Sequence, residues 1–333
     1  MAEIAFQHIG IVGAGAWGTA LALIARRAGR SVVVWAHEHE VADDINQRHA
    51  NPLYLPGVAL DPDIRATTDP ADAAEADAVL LAPPAQHVRR IARSLAPRWR
   101  QGTPALICAK GIEQESGALM SEVVAEELPN APIAVMSGPT FASEVARGLP
   151  TAITLAAKDS RLAAALAHAL GTPHFRMYTS NDIVGAEIGG AVKNVIAIAC
   201  GIVEGRKLGD NARAALITRG LAEIIRLGRA KGGEARTLMG LSGLGDLTLT
   251  CNAVQSRNFS LGQALGQDRP LAAILAERTT VAEGVYSASS VVALANRLKV
   301  DMPISAAVDA VLNRGADLDS AIAGLLARPV GTE

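Results

Sequence analysis

Short, continuously apolar runs alternate with amphipathic stretches through the first half of the chain. His8–Val12 is a β-branched apolar run that ends in glycines and gives way to a helical pattern over Trp17–Ala28. Gly29 stops that helix, and Ser31–Trp35 reads as a second strand. Ala78–Ala82, Ala105–Cys108 and Ile133–Met136 repeat the strand pattern, with helical patterns at Gln86–Leu95 and Gly117–Leu128 between them. Strands that are apolar on both faces and separated by helices predict a parallel sheet covered on both sides, a doubly wound Rossmann-type α/β fold. Ala152–Ala157 and His174–Tyr178, flanking a helix over Ser160–Leu170, extend that sheet. The character changes near Thr179. Beyond it no strand pattern follows, only Ala- and Leu-rich helical stretches at Val184–Val203, Asn211–Lys231, Leu271–Ala276, Tyr286–Leu298 and Ile304–Leu312. The expected division is a Rossmann-type α/β domain over residues 1–180 and an all-helical domain over 181–333.

Length and composition agree with two packed domains. The chain has 333 residues, 50% hydrophobic and 19% charged, which excludes disorder. A formal net charge of -2 offers no basic field for nucleic acid or an anionic membrane. The longest apolar candidate, Val184–Val203, is interrupted by Glu187, Lys193 and Asn194, so no membrane span is expected. The opening MAEIAFQHIGIVG carries an early Glu and runs straight into a strand, unlike a signal peptide. Cys108, Cys200 and Cys251 are odd in number and widely spaced, with no metal or redox pair among them. A cytoplasmic protein without structural disulfides is the expectation.

Gly13-Ala14-Gly15-Ala16-Trp17-Gly18 follows a strand and opens a helix. In that context the glycines have separate jobs. Gly13 permits a tight turn, Gly15 lets the backbone approach a pyrophosphate, and Gly18 lets the helix sit close to the strand. Amides at the helix start then face the anion. The alternative is a merely structural glycine-rich turn. The second strand ends at Trp35-Ala36-His37-Glu38. An acid at the strand tip would bind a ribose 2'-hydroxyl and repel a 2'-phosphate. The tip itself holds none, and His37 can approach a phosphate, so NADP is favoured over NAD; Glu38, one residue further, can serve either way.

Candidate chemistry comes from polar residues that interrupt apolar helices. Lys193 lies in Glu187-Ile188-Gly189-Gly190-Ala191-Val192-Lys193-Asn194-Val195-Ile196-Ala197, with Gly189, Gly190 and Ala197 on its own helical face. Two adjacent glycines cost a helix roughly 2 kcal/mol against alanine, so close approach of a backbone or ligand is the better explanation for them. The alternative is a lysine that snorkels to the surface. Three glycines around Asp246 in Gly240–Thr250 suit a tight loop presenting a carboxylate. Paired with Lys193, that carboxylate would keep the ammonium protonated and aimed while burial opposes it, a balance suited to a general acid. Ser256-Arg257-Asn258 offers a hydroxyl, a guanidinium and an amide for phosphate oxygens. Lys110 and Gly138-Pro139-Thr140 follow predicted strands at their C-terminal ends, where open α/β sheets bind ligands. Capping is the plainer role for Thr140 and for Asp246. No metal-ligand spacing is present.

These segments, in order, resemble the bacterial NAD(P)-dependent glycerol-3-phosphate dehydrogenases across nearly the whole chain. The resemblance rests on GAGAWGTALA from Gly13, NPLYLPG from Asn51, AKGIE from Ala109, SGPTFASEVARGLPTA from Ser137 and EIGGAVKNVIAIACGIVEGRKLGDN from Glu187. GLSGLGDLTLTC from Gly240, QSRN from Gln255 and VAEGVYS from Val281 complete it. It implies NAD(P)H-dependent reduction of dihydroxyacetone phosphate to sn-glycerol 3-phosphate for phospholipid synthesis, in a cytoplasmic homodimer. Lys193 matches the catalytic lysine, and Asp246 is expected to orient it. Lys110, Gly138, Thr140, Asp246, Ser256, Arg257 and Asn258 match substrate-contacting positions, and Asn194 and Thr250 are associated with the same site. Ala16, Trp17, His37, Lys110, Ala142, Arg257, Val281 and Glu283 match cofactor-contacting positions. The chain departs from relatives at Ala16, often serine, at Thr140, where serine is common, and at His37, frequently arginine. A hydroxyacid or 6-phosphogluconate-type dehydrogenase also places a lysine on a second-domain helix, and a non-catalytic NAD(P)H sensor would need neither Lys193 nor Asp246.

Overall fold

Apolar runs too short for a helix and bounded by glycine or proline become the strands, and the Ala- and Leu-rich stretches between them become the covering helices. The computed structural model of the chain describes residues 6–277 and 282–329. In chain order its first elements are β1 (His8–Val12), α1 (Ala16–Arg27), β2 (Ser31–Trp35), α2 (His39–Asp43), β3 (Ala50–Asn51), β4 (Leu55–Ala59), β5 (Ile64–Thr67), α3 (Pro70–Ala74) and β6 (Ala78–Leu81). They continue with α4 (Val88–Leu95), β7 (Ala105–Ile107), α5 (Met120–Glu127), β8 (Ile133–Ser137), α6 (Ala142–Ala146), β9 (Thr151–Ala157), α7 (Ser160–Leu170) and β10 (Phe175–Ser180). Thereafter only helices are described: α8 (Ile183–Gly205), α9 (Asp210–Lys231), α10 (Ala235–Leu238), α11 (Asp246–Asn252), α12 (Arg257–Gly266), α13 (Leu271–Ala276), α14 (Glu283–Leu298), α15 (Pro303–Asn313) and α16 (Leu318–Leu326).

Eight strands form one sheet in the order β10-β9-β8-β7-β6-β1-β2-β5. Both faces are buried: in β6, Ala78 and Leu80 enter one hydrophobic cluster while Val79 and Leu81 enter the other. The pairs are parallel except β8 with β9, where Ala134 faces Ala157 and Ser137 faces Thr154 in antiparallel register. Residues 138–150 hold a single five-residue helix, α6, which packs on α1 and does not cross back over the sheet. β9 therefore re-enters from the end at which β8 left. The sequence pattern missed β5 and the β3–β4 hairpin. Both are short, and Leu55–Ala59 carries Pro56 and Gly57 on a half-exposed strand.

The chain divides into two compact units. One holds the sheet, up to Lys110 and again over Ala118–Glu187. The other holds Gly111–Gly117 and the chain from Ile188 onward. The excursion at 111–117 joins the helices because Arg297 donates to the carbonyls of Ser116 (2.7 Å) and Gly117 (3.0 Å). Within the helical unit α8 is the core. By length and composition it is apolar enough to cross a membrane, but its apolar window is 94% buried inside the chain, as for the central helix of a bundle. α12 packs on it at backbone distance. A Cβ on Gly201 would lie 2.0 Å from the Phe259 carbonyl oxygen, and one on Gly262 would lie 2.0 Å from that of Ile198. Glycines that lower helix propensity there hid α12 from a pattern search.

On the sheet unit, Glu127 of α5 accepts from Arg93 at 2.8 and 2.9 Å and from Arg89 at 2.9 Å. The hydrogen bonds from Arg93, with help from Arg89 and against a partial burial cost, hold its carboxyl down at about 2, below the usual 4.5. A carboxyl depressed on folding stabilises above its unfolded value and loses that contribution as pH falls toward its folded value. The stability gap between wild type and Glu127→Gln is therefore expected to be full above about pH 5 and to shrink steadily toward pH 2. Urea denaturation of both proteins across that range checks this, and a gap independent of pH contradicts it.

Candidate active site

In the sheet unit the glycine-rich turn lies between β1 and α1. Gly13 has φ +113°, which a side chain resists. A Cβ on Gly18 would lie 1.8 Å from the Gly13 carbonyl oxygen, so helix and turn touch as the fingerprint requires. A Cβ on Gly15, by contrast, would meet nothing within 4 Å. Gly15 caps α1, and Ala16 and Trp17 are its first helical residues. The turn thus leaves open space in front of the start of a 12-residue helix, where an anion is favoured. The indole Nε1 of Trp17 is buried without a hydrogen-bond partner. An open cradle at Gly15 and an unmatched buried donor at Trp17 both fit a dinucleotide phosphate group.

The tip of β2 carries His37, exposed, with its ring edge-on to Trp35 at 6.1 Å. Glu38 is not loose: the Tyr54 hydroxyl donates to its Oε1 at 2.9 Å. Burial, and then the Glu38 carboxylate, raise the Tyr54 phenol. Tyr54 belongs to the hairpin that sequence patterning missed, and so does Asn51, which is fully buried and bonded into the glycine turn. Their signal in the sequence was the NPLYLPG segment, which carried no periodicity to give them a place.

A second cluster lies at the C-terminal ends of β7 and β8. The Lys110 ammonium donates to the Gly138 carbonyl at 2.9 Å, and the Thr140 hydroxyl donates to the same oxygen at 3.3 Å. Gly138 has φ +153°. Thr140 is no helix cap, because the N-cap of α6 is Phe141; Ala142 opens that helix. The neighbouring Cys108 is buried, which pushes its thiol far up and makes it inert.

In the helical unit Lys193 does not snorkel. It is 6% exposed, Asp246 is 0% exposed, and the Lys193 ammonium donates to Asp246 Oδ1 at 2.5 Å and to Thr250 Oγ1 at 3.0 Å. Thr250 sends its own hydroxyl hydrogen to the Asp246 carbonyl at 2.6 Å, which turns its lone pairs toward the lysine. Asp246 is not in a loop, as the glycines suggested. Leu241–Gly245 is a wide helical turn that runs into α11, and Asp246 is the first residue of that helix. The glycines serve close packing instead. A Cβ on Gly189 would lie 2.4 Å from the Ser242 carbonyl oxygen, so α8 rests on this turn and brings Lys193 to Asp246.

Asn194, next to Lys193, accepts from Asn258 Nδ2 at 3.0 Å, and Asn258 Oδ1 accepts from the Gly284 amide at 3.0 Å. Asn258 therefore links α8, α12 and the start of α14, where Glu283 stands. Ser256 caps α12, accepting from the Phe259 amide at 3.3 Å, and Arg257 is its exposed first residue. Val281 lies outside the described residues. Among the described residues no three of His, Cys, Asp and Glu group as they would around a metal.

Two family descriptions match the chain in succession. "NAD-dependent glycerol-3-phosphate dehydrogenase N-terminus" matches residues 8–163, and "NAD-dependent glycerol-3-phosphate dehydrogenase C-terminus" matches residues 182–323. A glycerol-3-phosphate dehydrogenase [NAD(P)+] of Rhodospirillum rubrum is 62% identical over 328 residues, 98% of this chain and 94% of that protein. One from Parvibaculum lavamentivorans is 57% identical over 330 residues, 99% of each. A crystal structure of glycerol-3-phosphate dehydrogenase from Coxiella burnetii superposes with a TM-score of 0.93 at 39% identity, covering 98% of this chain and 100% of that one.

Proposed function

We propose, from the premise that this chain belongs to the NAD-dependent glycerol-3-phosphate dehydrogenase family, that it reduces dihydroxyacetone phosphate to sn-glycerol 3-phosphate, reversibly, and supplies glycerophospholipid synthesis. It is an oxidoreductase using NAD or NADP. Residues 1–180 chiefly serve the dinucleotide and 181–333 chiefly the substrate, with a few positions of each serving the other. The observation that carries the mechanism is the buried Lys193–Asp246 ion pair with Thr250 as its second partner.

When bound, the reduced nicotinamide supplies the hydride that turns the substrate's carbonyl carbon into an alcohol carbon. Lys193 polarises the carbonyl oxygen and gives it a proton as negative charge develops there; in the oxidative direction its amine takes that proton back. Asp246, shielded from water, keeps the ammonium charged and aimed, and Thr250 fixes its direction. Asn194, tied by Asn258, belongs beside it. Arg257, at the first turn of α12 with Ser256 and Asn258, holds the phosphate, where helix amides and a guanidinium act together. Lys110, Gly138 and Thr140 are substrate-contacting positions, Lys110 serving the cofactor too. Gly13, Gly15, Ala16, Trp17, Gly18, His37, Ala142, Arg257, Val281 and Glu283 hold the dinucleotide. Three buried free cysteines suit a reducing cytoplasm, and the family likeness suggests a homodimer.

Steady-state kinetics with dihydroxyacetone phosphate, NADH and NADPH side by side, test this. Rapid turnover of dihydroxyacetone phosphate with NAD(P)H and none of hydroxyacids with NAD(P)+ is expected; the reverse assigns the chain to a hydroxyacid reaction. Arg257→Ala is expected to raise the KM for dihydroxyacetone phosphate by about tenfold or more with a smaller change in kcat. An unchanged KM removes Arg257 from the phosphate.

A further inference from the structure

We infer that Asn51 is a positioning residue for the dinucleotide, acting by turning the peptide between Ala14 and Gly15. Asn51 is 0% exposed and is not part of the glycine turn, yet its side-chain amide nitrogen is bonded to it. Its Nδ2 donates to the Ala14 carbonyl at 2.8 Å and to Thr19 Oγ1 at 2.8 Å. Its Oδ1 accepts from the Tyr54 amide at 3.2 Å, which fixes which end of the amide faces the turn. Thr19, itself buried, adds a second donor to the Ala14 carbonyl at 3.2 Å.

The consequence follows from peptide geometry. In a trans peptide the carbonyl of one residue and the N–H of the next point in opposite directions. Pulling the Ala14 carbonyl toward Asn51 and Thr19 therefore turns the Gly15 N–H away from them. Left facing the open space, the negative end of that carbonyl would repel a phosphate. The space at Gly15 is open, and the amide that begins the helix cap belongs to this same peptide. Two buried donors occupy both lone pairs of that carbonyl. They lock the donor side outward, as an anion site requires. The hairpin β3–β4 is thus the brace of the phosphate turn, and Asn51 is the residue through which it acts. This role rests on the assignment of Gly13–Gly18 to the dinucleotide.

The test is calorimetric titration of the whole protein with ADP-ribose and with adenosine, which lacks the phosphates. Asn51→Ala is expected to weaken ADP-ribose binding by about tenfold and leave adenosine binding within about twofold. At saturating cofactor its kcat stays near wild type. Asn51→Asp, which sets a carboxylate against the Ala14 carbonyl, weakens ADP-ribose binding further. Thr19→Val follows Asn51→Ala in kind with a smaller loss, and Thr19→Ser, which keeps the hydroxyl, restores it. The Thr19 pair keeps the inference testable if Asn51 variants do not fold. ADP-ribose binding unchanged in Asn51→Ala and Thr19→Val, or equal losses for adenosine, overturns the positioning role alone. Failure of the wild type to bind ADP-ribose overturns the dinucleotide assignment and this role with it.

Discussion

Lys193→Ala is expected to lose turnover of dihydroxyacetone phosphate by 10²-fold or more, on the order of 10²–10⁴, while dinucleotide binding is kept. In the proposed mechanism Lys193, the buried cation of the ion pair, transfers the proton, and the glycine turn that would hold the cofactor lies in the other compact unit. The variant also leaves Asp246 buried without its partner charge, which costs a protein about 3–5 kcal/mol. Stability must therefore be followed beside activity, so that lost chemistry is told from lost fold. Lys193→Arg separates them. It keeps the charge for Asp246 but holds its proton too tightly to transfer it, so it is expected to regain stability and not turnover. Single-turnover kinetics with saturating cofactor give the size of the loss. Turnover near wild type in Lys193→Ala would mean that another group is the acid.

Asp246→Asn is the second large effect, and its sign depends on pH. The substitution keeps a side chain able to accept from Lys193 and removes the charge. A buried ammonium without its carboxylate gives up its proton more readily. In the proposed mechanism reduction needs the ammonium, so the fall of kcat at high pH should begin at lower pH than in wild type. The loss is expected to be larger at pH 8 than at pH 6, reaching roughly 10²-fold at the higher pH. Oxidation, which needs the free amine, should suffer least where reduction suffers most. A uniform loss at every pH in both directions would reduce Asp246 to a packing role. Asp246→Ala goes further, because the cavity and the uncompensated ammonium both weaken the fold.

Much of the sheet unit was legible because its strands are buried on both faces and its helices carry one apolar face; these periodicities are local. His8–Val12 and Ser31–Trp35 match the observed strands residue for residue. The hairpin at 50–59 was not legible. Its strands are short and half exposed, and what holds Asn51 there is a bond to a turn 37 residues away. In the helical unit the same limit explains the error at Asp246. Clustered glycines look like a loop when the neighbour they make room for is not visible, and here that neighbour is α8.

By itself the sequence determined the Rossmann-type order of strands and helices, the glycine turn and the suspicion that a lysine among apolar residues has a purpose. These follow from patterns that close within a few residues of the chain. That Lys193 is buried against Asp246 and Thr250, that β9 runs antiparallel to β8, and that Asn51 bonds the Ala14 carbonyl emerged with the packed chain alone. Each of those depends on which distant backbone comes within a few ångströms, and free energy of that kind belongs to the packed whole and leaves no period in the chain.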